Sequence, residues 1–217
     1  VRKALSRVGV LLTATIVLAG CTAAQDPAPV STAPVVQLGA PGESNRTLSP
    51  EDLEQLDLTI PYSDEDVAFV RDMLHHHSQA LEMTALVPDR AGSDDVRLMA
   101  ERMDISQTDE MALMERWLQE RGEAVRDPDA GHDMHDGMPG LLTEAELAEL
   151  EAASGDEFDR LFLEFMIRHH QGALEMVTSL FDAGGGMEMA IGQIAREVEA
   201  DQSIEIARMQ GMLAGND

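Results

Sequence analysis

The sequence predicts an all-α protein, a four-helix bundle built from two copies of one antiparallel helix hairpin. Three observations carry this. Apolar residues recur with helical period from about residue 62 onward, with no strand pattern there. Capping residues and breakers divide that stretch into four long segments and one short one. The motif of the first long segment also returns, without gaps, in the third.

Taken in order, the first twenty residues read as an export signal. Arg2, Lys3 and Arg7 precede an apolar run from Val8 to Ala19, and Leu18-Ala19-Gly20-Cys21 closes it. The run is shorter than the roughly 20 apolar residues of a spanning helix. Leu-Ala-Gly-Cys also matches a bacterial lipobox, so Cys21 is expected to carry diacylglycerol and to hold the chain outside the cytoplasmic membrane. With the only cysteine so used, no disulfide, thiolate metal site or Cys nucleophile remains.

Residues 21–61 read as a lipidated cysteine and a disordered tether. Pro27, Pro29, Pro34, Pro41, Pro50 and Pro61 stand there among Ala, Thr, Ser and Gly, with at most one short turn of helix at Pro50–Asp57. The rest, 62–217, suits one domain. Its first helix is expected from a Ser63 cap to about Val87, stopped by Pro88, and its second from Ser93 to about Arg121, stopped by Gly122. After a Gly- and His-containing linker, Thr143-x-x-Glu146 forms a capping box for a short helix. Ser154-x-x-Glu157 is expected to open the third long helix, which ends near Asp182 before Gly184-Gly185-Gly186. The fourth runs from about Met187 to Leu213. Two short hairpin turns and one long crossover between the hairpins are the connectivity of ferritin-like bundles.

Met73-Leu74-His75-His76-His77-Ser78-Gln79-Ala80-Leu81-Glu82-Met83 aligns on Met166-Ile167-Arg168-His169-His170-Gln171-Gly172-Ala173-Leu174-Glu175-Met176. Gln107-x-x-Glu110-Met111-x-x-Met114 returns as Gln202-x-x-Glu205-Ile206-x-x-Met209 at nearly the same spacing, so the hairpin is duplicated. At ~100° per residue, Met73, His76, His77, Ala80 and Met83 share the buried face, as do their second-copy counterparts. Gln107, Glu110, Gln202 and Glu205 also point inward. A buried carboxylate requires a partner, so His76 and His77 are expected to meet Gln107 and Glu110, and His169 and His170 to meet Gln202 and Glu205.

Two readings of this polar layer stand side by side. One is structural, a His–Glu/Gln network that sets helix register in an interaction protein. The other is metal binding, with His76, His77, His169, His170, Met73, Met83, Met166 and Met176 as ligands and the carboxylates and amides behind them. Imidazole with thioether is a soft set suited to Cu(I) and Ag(I). A carboxylate–imidazole site for zinc, iron or manganese is a further alternative. The linker supplies a separate candidate in His132, Met134, His135 and Met138. Net charge of −26 argues against nucleic-acid partners. No phosphate loop, zinc-protease motif or serine nucleophile signal is present, and Glu-x-x-His, the mark of ferritin-like di-iron sites, is absent. A non-enzymatic protein is expected, with a metal ion and, through its lipid, the membrane as partners.

With its doubled Met-x-x-His-His-x-x-Ala-Leu-Glu-Met motif and its Met138-Pro139-Gly140-Leu141-Leu142 run, the sequence resembles the DUF305 family over about residues 62–214. The resemblance implies a ferritin-like bundle outside the cytoplasm, some of whose relatives bind copper or silver. It places the family's His pairs at His76 and His77 and at His169 and His170. Its methionines fall at Met73, Met83, Met166 and Met176. Two departures are the extra His75 and the replacement of Trp117 by Met212 in the second copy.

Overall fold

A computed structural model describes residues 34–54, 60–126 and 137–215. The export signal, Cys21 and the linker residues His132, Met134 and His135 lie outside them. The chain divides into two units, 1–57 and 58–217.

The first unit holds a strand pairing that its composition did not announce, and the short turn of helix at Pro50 that was expected. β1 (Val36–Gln37) pairs antiparallel with β2 (Arg46–Thr47), Val36 opposite Thr47. A one-turn helix α1 (Pro50–Glu54) follows. Ser49 and Asp52 cap it reciprocally, and Pro50 takes the first helical position, where its missing N–H costs nothing.

The second unit is helical: α2 (Asp64–Arg90), α3 (Asp94–Glu120), α4 (Glu144–Ala152), α5 (Asp156–Asp182) and α6 (Met189–Leu213). Ser63 caps α2 as expected, with Asp66 completing a capping box, and the expected Thr143–Glu146 box forms on α4. Two boundaries differ. Pro88 does not stop α2, because it stands in the last turn, which Ala91 N–H closes on the Val87 carbonyl. Ser154 does not cap α5. The chain there pairs with the α2–α3 turn, Gly155 N–H donating to the Arg90 carbonyl at 2.7 Å. That pairing holds Gly155 at φ 62°, a glycine conformation, and makes it the cap, while Glu157 turns to Arg160.

The hairpins α2–α3 and α5–α6 lock together through a pair of buried aspartates at matching positions of the repeat. Asp66 Oδ1 accepts from Gly186 N–H at 2.6 Å, tying the start of α2 to the α5–α6 turn. Asp159 accepts from Gly92 and Ser93 N–H at 3.0 and 2.7 Å, tying the start of α5 to the α2–α3 turn. Helices α2 and α5 are therefore antiparallel, and the two copies face each other about a two-fold pseudo-axis. The end of α3 and the start of α5 therefore stand at opposite ends of the bundle, as a ferritin-like topology requires. Among the described residues no helix is long and apolar enough to cross a membrane.

The core is split in two. One apolar cluster is formed by residues such as Phe69, Val70, Met73, Met114, Trp117, Met176, Ile191 and Val198. The other includes Met83, Met99, Met103, Phe158, Phe162, Met166 and Met209, closed by Leu142 and Leu150 from the crossover. Between them, every long helix contributes polar residues. They are His76 and His77 from α2, Gln107 and Glu110 from α3, His169 and His170 from α5, and Gln202 and Glu205 from α6.

Candidate metal centre

All four imidazoles of this layer are completely enclosed. They arrive there because the repeated His pair falls midway along α2 and α5, and the antiparallel arrangement brings the midpoints together. His76 and His169 meet across the pseudo-axis with ring centroids 3.8 Å apart and ring planes tilted by 36°. His77 and His170 lie on the outer sides, 6.5 and 6.3 Å from their neighbours in sequence. The two pairs thus form one shared layer rather than two remote sites.

Each outer histidine meets the carboxylate expected from the sequence. His77 Nε2 lies 2.6 Å from Glu110 Oε2, and His170 Nε2 lies 2.7 Å from Glu205 Oε2. Against an ionised carboxylate, which only accepts, a neutral ring carries its proton on Nε2 and its lone pair on Nδ1. Neither Nδ1 has a hydrogen-bond partner. His76 departs from expectation. Its Nε2 donates to the Pro139 carbonyl at 3.1 Å instead of meeting Gln107 or Glu110, again leaving Nδ1 unpaired. His169 has no partner on either nitrogen. The amides of Gln107 and Gln202 are buried and unpaired as well, so the expected His–Gln bonds do not form.

Electrostatics keep the central pair neutral. Burial, reinforced by the neighbouring His77, lowers the His76 pKa to about 3. Burial followed by the charges of His76 and His170 pushes His169 well below its ordinary value. Neutral imidazole is the form that binds metal. On the α6 side, the Asp201 carboxyl is raised by burial and then by repulsion from Glu110 and Glu205.

The methionines flank the layer. Met73 and Met176 belong to one apolar cluster, Met83 and Met166 to the other, so each side receives one thioether from each copy. Among the described residues, no three His, Cys, Asp or Glu side chains converge as a ready cage. What the layer offers is neutral imidazole lone pairs between thioethers, a donor set suited to a soft cation of low coordination number. Met138 is described and partly buried, against the first cluster rather than in the imidazole layer.

Sequence reading missed the residues that position the layer. Pro139 holds His76, and it is seated by a departure between the copies. Gln79 clamps Leu142 from both sides, Nε2 donating to its carbonyl at 3.0 Å and Oε1 accepting from its N–H at 2.7 Å. The matching residue in α5 is Gly172, on which the Pro139–Gly140 backbone lies so closely that a Cβ there would stand 2.1 Å from the Pro139 oxygen. Gln in one copy and Gly in the other was visible in the alignment. Its meaning required knowing that the crossover passes between them.

The family model for the domain of unknown function DUF305 matches residues 66–213. A DUF305 protein from Streptomyces coelicolor, described as secreted, is 30% identical with a TM-score of 0.63, covering 70% of this chain and 93% of that one. A DUF305 fragment from Deinococcus radiodurans is 34% identical with a TM-score of 0.63, covering 71% and 99%. CopM in its Cu(II)-bound form is 25% identical with a TM-score of 0.59, covering 69% and 96%. None of the curated proteins matches the chain.

Proposed function

The chain belongs to the DUF305 family, and on that footing we propose that it is an exported, non-enzymatic protein that binds a soft cation, Cu(I) or Ag(I), in its imidazole layer. One observation carries the reading. Four fully buried imidazoles stand together, and each keeps at least one ring nitrogen that bonds to nothing in the protein. Unsatisfied buried polar atoms are costly, about 1–3 kcal/mol each, and natural cores rarely keep several side by side without a ligand. Glu110 and Glu205 sit where carboxylates behind metal-bound histidines stand, fixing the tautomer and raising basicity. Likeness to CopM, solved with copper bound, points the same way, and a relative described as secreted supports a place outside the cytoplasm. Such a protein would buffer copper or pass it on.

Cys21 remains the proposed lipid attachment point. Cys21→Ser should move the protein from the membrane fraction to the soluble one, and unchanged fractionation would rule the anchor out.

The test of metal binding uses the chain with Cys21→Ser, since a free thiolate would itself bind Cu(I). Anaerobic titration against a chromogenic competitor should show tight binding, weakened about 10–100-fold or more by His76→Gln with His77→Gln. Far-UV circular dichroism should be unchanged. A wild-type chain that takes no Cu(I) from a moderate competitor would sink the proposal. The structural alternative draws support from the His77–Glu110 and His170–Glu205 bonds, which are complete without metal. It predicts destabilisation by the same substitutions and no copper affinity to lose.

A further inference from the structure

The imidazole layer is enclosed, so a cation must reach it by a particular route. Of the four duplicated methionines, Met73, Met83 and Met166 are fully buried, while Met176 keeps 8% exposure. The difference comes from the crossover. Leu142 and Leu150 close the cluster that holds Met83, whereas at Met176, its counterpart, a groove of about 440 Å³ remains open. Its walls include Phe69 and Leu180, its rim carries Glu65 and Asp72, and Met138 of the crossover faces the same space. Pro139 lines it too, and the Pro139 carbonyl is the group that holds His76 Nε2 at 3.1 Å. One residue is therefore shared between the groove and the imidazole layer.

We propose that Met138 and Met176 form a surface thioether site that receives a monovalent soft cation and passes it beneath Pro139 to His76. This rests on the metal-binding reading above and adds the route. Two neutral thioethers select soft cations over the alkali and alkaline-earth ions that the acidic rim would also attract. With only two weak donors, they hold such a cation less firmly than the imidazoles of the layer behind them, which suits transit rather than storage. The transfer is ligand exchange: sulfur–metal bonds break as imidazole–metal bonds form, and the oxidation state does not change. His76 can bind through Nδ1 and keep its Nε2 proton on Pro139.

Ag(I), which is redox-inert, tests this on the Cys21→Ser chain carrying ¹³C-methyl methionine, with resonances assigned by single Met→Leu variants. The Met138 and Met176 methyl signals should move at the first substoichiometric additions. Met138→Leu, at a residue outside the imidazole layer, is nearly volume-conserving and should slow Ag(I) uptake about tenfold while the amount finally bound changes little. If Ag(I) is taken up with these two signals unmoved, or the Met138→Leu chain fills as fast as wild type, the route is wrong although the function stands. If no Ag(I) is taken up at all, both fail.

Discussion

The two hairpins carry the same His–Glu pair at nearly the same geometry, 2.6 Å in one and 2.7 Å in the other, yet they differ where the crossover touches them. On α2 the crossover is gripped by Gln79, and its Pro139 carbonyl engages His76. On α5 the same strand of backbone rests on Gly172, and His169 receives no bond. The duplication therefore supplies the donor chemistry twice, and a single unrepeated segment decides which half is covered and which is open. Symmetry accounts for the imidazole layer. The break in symmetry accounts for Met83 being sealed while Met176 is not.

The largest effect expected from breaking this comparison is at Gly172. Gly172→Ala forces a methyl into the Pro139 backbone and should cost about 3 kcal/mol or more, read by urea unfolding. Gln79→Ala, which loses two hydrogen bonds, should cost about half as much. Equal losses for the two would mean that the crossover is not seated as described.

Next come the symmetric partners. His77→Ala and His170→Ala each leave an almost buried carboxylate without its bond and should each cost about 2 kcal/mol. The two losses should agree within about 0.5 kcal/mol, the margin within which separate sites act independently. The central pair should not agree, because His76→Ala also strands the Pro139 carbonyl and should exceed His169→Ala by about 1 kcal/mol.

Near neutrality the smallest effect is that of pH. His76 titrates at 6.5 in the unfolded chain and at about 3 when folded, so between those values the unfolded state binds the extra proton. Apo-protein stability should fall as pH drops below 6.5, with His76 contributing less than about 1 kcal/mol from pH 7 to pH 6 and more below, and His169, lowered in the same direction, adding to it. His76→Gln should flatten the curve, and a mutant curve parallel to wild type would show that His76 is not buried and neutral.

Much of this was legible in the residues. Helical period, the Ser63 and Thr143 caps and the doubled motif identify the bundle, and the inward aim of Glu110 and Glu205 identifies their histidine partners. Local rules failed where distant backbone intervened. The α2–α3 turn displaced Ser154 as a cap, and the crossover carbonyl took His76 away from Gln107 and Glu110. Continuing the repeat upstream would have paired Asp66 with Asp159 and Phe69 with Phe162. Nothing in the register alone tells that those aspartates clasp the opposite hairpin, because their acceptors meet N–H groups many residues away.

The most direct test of the imidazole layer as a soft-metal site is X-ray absorption at the copper edge, on the Cys21→Ser chain loaded anaerobically with one equivalent of Cu(I). The account predicts imidazole nitrogen and thioether sulfur together in the first coordination sphere, with the nitrogen signal lost when His76, His77, His169 and His170 are all changed to Gln. Coordination by oxygen alone, or an unchanged imidazole signature in that variant, would contradict it.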